Sequence, residues 1–193
     1  MRKLLSTSVA LSVTVYSLIG LTDAAEHELV YPEILSRIDA IQSCDEGQFG
    51  NWTVCSPSAD GNTCLAWTTP ITVSATRQSH PNRVVTVDRW SFHGLVLVRN
   101  ASKETANTLV YVGGFPKKAA TVSFADLQTD IPFNDKVAFI TSNHKHWALL
   151  ASHLQFAEHI EFSAASIRGT NVTDVFSLAG FAEVSSLIEQ RCP

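Results

Sequence analysis

From residue 49 to residue 178 the chain is a succession of short apolar runs of β type, broken by turn residues at close intervals. Phe49–Cys55 (FGNWTVC) and Thr63–Thr68 (TCLAWT) flank SPSADGN, a Pro/Asp/Gly/Asn cluster with the composition of a hairpin loop. Arg83–Trp90, Leu95–Arg99, Thr108–Val112, Ala120–Phe124, Lys136–Thr141, His159–Ser166 and Asp174–Leu178 repeat the texture. This spacing favours a mainly β, antiparallel sandwich-like domain over alternating βαβ units. Three helices accompany it, one before it, one within it and one after it. Tyr31–Gln42 has Pro32 in its first turn and Ile34, Ile38 and Ile41 at helical spacing. Asn143 is placed to cap an inserted helix running to Phe156, with Trp147, Leu150 and Leu154 on one face. Gly180–Arg191 is the C-terminal helix, striped by Phe181, Val184, Leu187 and Ile188.

The first residues stand apart from this fold. Met1-Arg2-Lys3 is a short positive start, and Leu4–Leu21 is apolar apart from Ser, Thr and one Tyr. Thr22-Asp23-Ala24 then sets small residues where a signal peptidase reads. The apolar stretch approaches the ~20 residues of a membrane span. Ser and Thr dilute it, however, and Ala24-Ala25 follow where an anchor would carry a basic flank. The chain therefore divides into a signal peptide over 1–24, an N-terminal helical segment over 25–47 and a β domain over 48–193. Cleavage near Ala24 predicts a periplasmic or secreted protein without stable membrane insertion.

In such an oxidising compartment Cys44, Cys55, Cys64 and Cys192 form an even set, and two disulfides are expected. No CxxC or HxxxH spacing supports zinc. Four cysteines permit three pairings, and spacing leaves all three open. A net charge of -4 with 17% charged residues argues against nucleic acid as a partner, which would require a basic stripe. The 45% hydrophobic content argues against disorder.

A compound signature runs through the C-terminal third: Ser166, Arg168-Gly169-Thr170, Asp174, Phe176-Ser177-Leu178, Gly180-Phe181, Leu187-Ile188 and Cys192. Phe49-Gly50-Asn51-Trp52 and Cys64 precede it, with Gly113-Gly114-Phe115-Pro116 and Ala138-Phe139-Ile140 between. In order and spacing these resemble the bacterial invasion-associated locus B family over roughly residues 48–192. Asn51 departs from the family's usual Asp. The resemblance implies an exported, mainly β domain, associated in some pathogens with entry into host cells, and it implies no reaction. Some members keep only the equivalents of Cys64 and Cys192, which implies a Cys64–Cys192 pair and leaves Cys55 for Cys44. The rival arrangement is Cys55–Cys64 with Cys44–Cys192.

Chemistry-bearing motifs are sparse. A helix sets His144 and His146 about 200° apart, and His146 and His153 about 10 Å apart, so no shared metal is expected. There is no GxSxG, and Val112-Gly113-Gly114 leads to Phe-Pro rather than to a phosphate-binding helix. Glu158 and Glu161 read as edge charges. Thr170, Asn171 and Asp174 read as caps of the Arg168-Gly169 turn. The sequons at Asn51, Asn100 and Asn171 are silent in a bacterium, and Asn51 reads as part of a core strand. Trp90 and His93 at a strand end, with Arg168, form the possible binding surface.

No catalytic residue, cofactor or metal is therefore expected. The sequence points to a non-enzymatic envelope or surface binding protein that contributes to host-cell interaction, with a protein or envelope component as partner. An inhibitor or accessory factor of an envelope or host enzyme is the first alternative. A hydrolase with an unrecognised site is the second.

Overall fold

The computed structural model describes residues 47–55, 62–77, 80–84, 93–101, 107–113, 117–124, 126–134, 137–166 and 169–193. The signal peptide expected over 1–24 and the helix expected over 31–42 both lie outside them. The elements are β1 (Gly47–Phe49), β2 (Trp52–Val54), β3 (Thr63–Thr68), β4 (Thr72–Arg77), β5 (His80–Val84), β6 (His93–Asn100), β7 (Asn107–Gly113), β8 (Lys117–Phe124), β9 (Leu127–Asn134), β10 (Val137–Thr141), α1 (Trp147–Phe156), β11 (His159–Ser166), β12 (Thr170–Ser177) and α2 (Phe181–Arg191). Every strand pairing is antiparallel, in the order β1-β2-β3-β6-β7-β10-β9-β8-β11-β12-β4-β5. The protein is mainly antiparallel β with two helices among the described residues.

This ribbon of strands forms two sheets joined at β9. Residues from Leu127 to Pro132 pair with β8, whereas Phe133 and Asn134 pair with β10. Pro132 sits at that change of partner, where a residue without an N–H costs the ladder least. The same proline, with Asp130, hides β9 from a pattern reading. β4 escapes it for another reason: of TVSATR only Ala75 is buried. The two inner faces meet in the core. Tyr111 of β7 stacks on Phe162 of β11 with centroids 4.7 Å apart and meets Phe176 of β12 edge-on at 6.1 Å.

Several boundaries differ from the sequence reading. β1 starts at Gly47, two residues before the expected Phe49–Cys55 run. Phe49–Cys55 is two short strands, because Gly50-Asn51 turns the chain so that Phe49 pairs with Trp52. Asn51 is consequently exposed in a turn, not set in a core strand. The run expected over Arg83–Trp90 gives β5 at His80–Val84, and residues 85–92 are outside the description. Helix α1 starts at Trp147, not beside Asn143; backbone turns, with His144 N–H bonded to Thr141 O, occupy the gap. Leu150 and Leu154 are its buried residues, as the spacing predicts. β11 lies between β8 and β12, so Glu161 is an exposed charge on a sheet face rather than at an edge.

Helix α2 closes one end of the core. Phe181, Val184 and Ile188 are buried, and the Phe181 ring meets Trp52 edge-on at 5.1 Å. Cys192 follows and bonds to Cys64 of β3, with Cα atoms 6.0 Å apart across a separation of 128 residues. Arg99 Nε donates to the Cys192 carbonyl at 2.5 Å, fixing the same corner. Cys55 is also disulfide-bonded, and Cys44 lies outside the described residues. A link across so long a loop restricts the unfolded chain by up to ~4–5 kcal/mol in the chain-entropy model. Cys192→Ser should therefore lower the melting temperature while leaving a β-type circular dichroism spectrum at low temperature. A melting temperature equal to that of the parent would show the bond to be energetically silent.

Candidate functional site

β12 reads TNVTDVFS, and alternation turns Val172, Asp174 and Phe176 toward the interior. Asp174 is thus no loop cap. Thr170, Asn171 and Asp174 all belong to the strand, which begins four residues earlier than its apolar content suggests. A carboxylate at an inward position is costly unless hydrogen bonds replace its water. Asp174 is 0% exposed, and the first sheet supplies the bonds.

Two residues converge on Asp174 Oδ2. His93 Nδ1 lies 2.8 Å away, and the Tyr111 hydroxyl donates to the same oxygen at 2.5 Å. A carboxylate oxygen only accepts, so the His93 tautomer in contact carries its proton on Nδ1. Strand register explains the convergence. His93 opposes Gly113 and Leu95 opposes Tyr111, which makes His93 and Tyr111 diagonal neighbours on one face of adjacent strands. Burial pushes the Tyr111 phenol well above its ordinary pKa, and the charge and hydrogen bond of Asp174 push it further the same way. The phenol therefore stays a donor. Asp174 Oδ1 is buried and has no hydrogen-bond partner among the described residues.

The arrangement joins the two sheets. β12 belongs to one, β6 and β7 to the other, and the carboxylate spans the gap. Asp–His pairs also orient imidazoles in general-base catalysis. That chemistry requires the ring to reach a substrate, and His93 is only 7% exposed. As built, the group can fix sheet spacing and supply hydrogen bonds to a carboxyl in the interior.

The structure places the other sequence candidates as follows. His93, expected on a surface with Trp90 and Arg168, is an interior residue; Trp90 and Arg168 lie outside the described residues. His144 and His146 occupy the turns before α1, with ring centroids 5.6 Å apart. His153 Nε2 is 2.9 Å from the His159 carbonyl. Among the described residues, no group of three or more His, Cys, Asp or Glu side chains is placed to hold a metal ion. No local pattern in the sequence pairs Asp174 with Tyr111, although the i, i+2 spacing of Val172, Asp174 and Phe176 carries the signal for the inward position of the first.

A second constellation brings together two distant parts of the sequence. Phe49-Gly50-Asn51-Trp52 and Leu178-Ala179-Gly180-Phe181 lie against each other. Asn51 N–H donates to the Ala179 carbonyl at 3.0 Å, and Trp52 packs on Phe181. Gly50 and Gly180 have φ of 58° and 89°, in the left-handed region. A Cβ on Gly50 would overlap the Ala179 carbonyl, and one on Gly180 would overlap the Phe49 carbonyl. The backbones touch there because neither residue has a side chain. Comparison with family models, curated proteins and solved structures finds no match to the chain.

Proposed function

We propose that this chain is an exported, disulfide-stapled, sandwich-like binding protein of the bacterial envelope or cell surface, related to the invasion-associated locus B proteins. In this reading the signal peptide is removed near Ala24, an N-terminal helix occupies 31–42, and the protein acts without catalysis on a protein or envelope component. The observation that carries it is the contact between Phe49-Gly50-Asn51-Trp52 and the Leu178–Phe181 turn, beside the Cys64–Cys192 bond. These are the segments in which the resemblance resides, and they form one three-dimensional clasp. Segments so distant in sequence that meet in one place are what a shared fold would require of such a signature.

Binding is tested directly with the labelled, exported protein on intact host cells and on isolated envelopes. Saturable binding, competed by unlabelled protein, is the expected result. A linear, uncompeted signal on both would overturn the reading.

The hydrolase reading has one observation in its favour, the 2.8 Å contact of His93 with Asp174. The two readings diverge at His93→Gln. A catalytic imidazole predicts loss of peptide or glycan turnover at nearly unchanged melting temperature. A strut between sheets predicts a lower melting temperature and no turnover by either protein.

A further inference from the structure

A surface helix ordinarily sets charged residues on the face turned to water. Helix α1 does not. Its sequence, WALLASHLQF, contains no Asp, Glu, Lys or Arg. Leu150 and Leu154 point inward and are buried. The opposite face is formed by Ala148, Leu149, Ser152, Gln155 and Phe156, and all five are exposed. Leu149 and Phe156 are two helical turns apart on the same side, about 10 Å along the axis. They are 47% and 83% exposed. Apolar side chains scattered singly over a surface are ordinary. Two large ones aligned on an uncharged helix face form a patch of the kind that meets a partner.

We propose that this face binds a second copy of the chain, with two α1 helices packed antiparallel about a two-fold axis near Ser152. A two-fold interface presents the same patch on both sides and must be self-complementary. In shape this one is. The antiparallel arrangement sets Leu149 of each helix beside Phe156 of the partner subunit, at both ends of the contact. The small side chains of Ala148 and Ser152 lie between them. They let the axes approach to the roughly 8–10 Å of packed helices.

Charge selects the second copy over other occupants. Exposed Lys145 lies just before α1, and exposed Glu158 lies just after it. Each sits at the end of its own helix dipole that disfavours it, since cations belong at C-termini and anions at N-termini. The antiparallel partner reverses both. Lys145 meets the C-terminal end of the facing helix and Glu158 of the partner subunit, and Glu158 meets the N-terminal end and the partner's Lys145. A lipid surface fits less well, because a helix lying on anionic lipid carries Lys or Arg along its polar face, and α1 has neither. One helix pair is smaller than the roughly 800 Å² per partner of a standard interface, so the dimer is weak and concentration-dependent. This inference is independent of the binding reading, since nothing in it depends on what the protein recognises.

The test is sedimentation velocity of the exported, disulfide-bonded protein, from dilute solution up to its solubility limit. A monomer–dimer equilibrium is expected, in which Phe156→Glu raises the dissociation constant about tenfold or more. Because Phe156 is exposed, that variant should keep the melting temperature of the parent. Lys145→Glu and Glu158→Lys should each weaken the dimer, and the double variant should regain it. A protein that stays monomeric throughout, or a dimer indifferent to Phe156→Glu, would overturn the proposal. So would a double charge variant as dissociated as the single ones. Binding to phosphatidylglycerol vesicles that Phe156→Glu abolishes, in a protein monomeric in solution, would overturn it too and assign the face to lipid.

Discussion

Gly180→Ala should prevent the protein from reaching its native stability, with an expected loss of about 2–6 kcal/mol. Two costs combine. A non-glycine residue at φ 89° is strained by about 1–3 kcal/mol. Its Cβ must also displace the Phe49 carbonyl, which is backbone in a paired strand and cannot rotate aside. Overpacking of that kind costs typically 1–3 kcal/mol. For a chain of this length each kcal/mol lowers the melting temperature by roughly 2–4 °C. The expected drop is therefore about 4–24 °C, with no folded protein at all at the upper end. Gly47→Ala is the control. Its added Cβ meets chiefly the Phe49 ring, 3.2 Å away, a side chain able to move. A Gly180→Ala protein melting with the parent would show that the clasp between the first hairpin and the α2 turn is not held as described.

That clasp marks the limit of what could be read from the chain alone. In the sequence Gly180 opens the C-terminal helix, and in the structure it is the residue before α2. That its neighbour in space is Gly50, 130 positions earlier, follows from no local pattern. Strands with continuous apolar runs, such as β6 and β10, were legible because burial on both faces leaves no polar position. β4 was not, because its residues are mostly exposed and its strand character comes from pairing with β12 and β5. His93 beside Trp90 and Arg89 reads as a surface site in one dimension. The sheet places it opposite Gly113 and in reach of Asp174, eighty-one residues away. Polar residues in short β runs default to turns or edges in a pattern reading. Only the partner strand reveals that one is an interior acceptor.

The largest effect expected in the interior is at that acceptor. Asp174→Ala should destabilise the protein by about 2–6 kcal/mol, because two buried hydrogen bonds to it are lost at about 1–3 kcal/mol each. Two donors then lose their acceptor: the Tyr111 hydroxyl and the His93 Nδ1–H, both in the interior. The resulting void adds to the loss. Urea denaturation of Asp174→Ala, His93→Ala and the double variant forms a cycle. A direct contact predicts coupling of about 0.5–3 kcal/mol, and coupling near zero would mean that the 2.8 Å approach carries no energy. Tyr111→Phe isolates the third member and has a signature in pH. The folded state holds the phenol proton above the ordinary value, whereas the unfolded chain releases it near pH 10. Above about pH 10 the native state binds more protons than the unfolded one, so stability falls as pH rises. It is unaffected by this group below that pH. Tyr111→Phe should therefore be less stable than the parent at neutral pH, since a hydrogen bond to a carboxylate is worth about 1.5–3 kcal/mol. Its alkaline decline should also be shallower. An equally steep decline in both proteins above pH 10 would place the alkaline transition elsewhere and detach Tyr111 from the strut between the sheets.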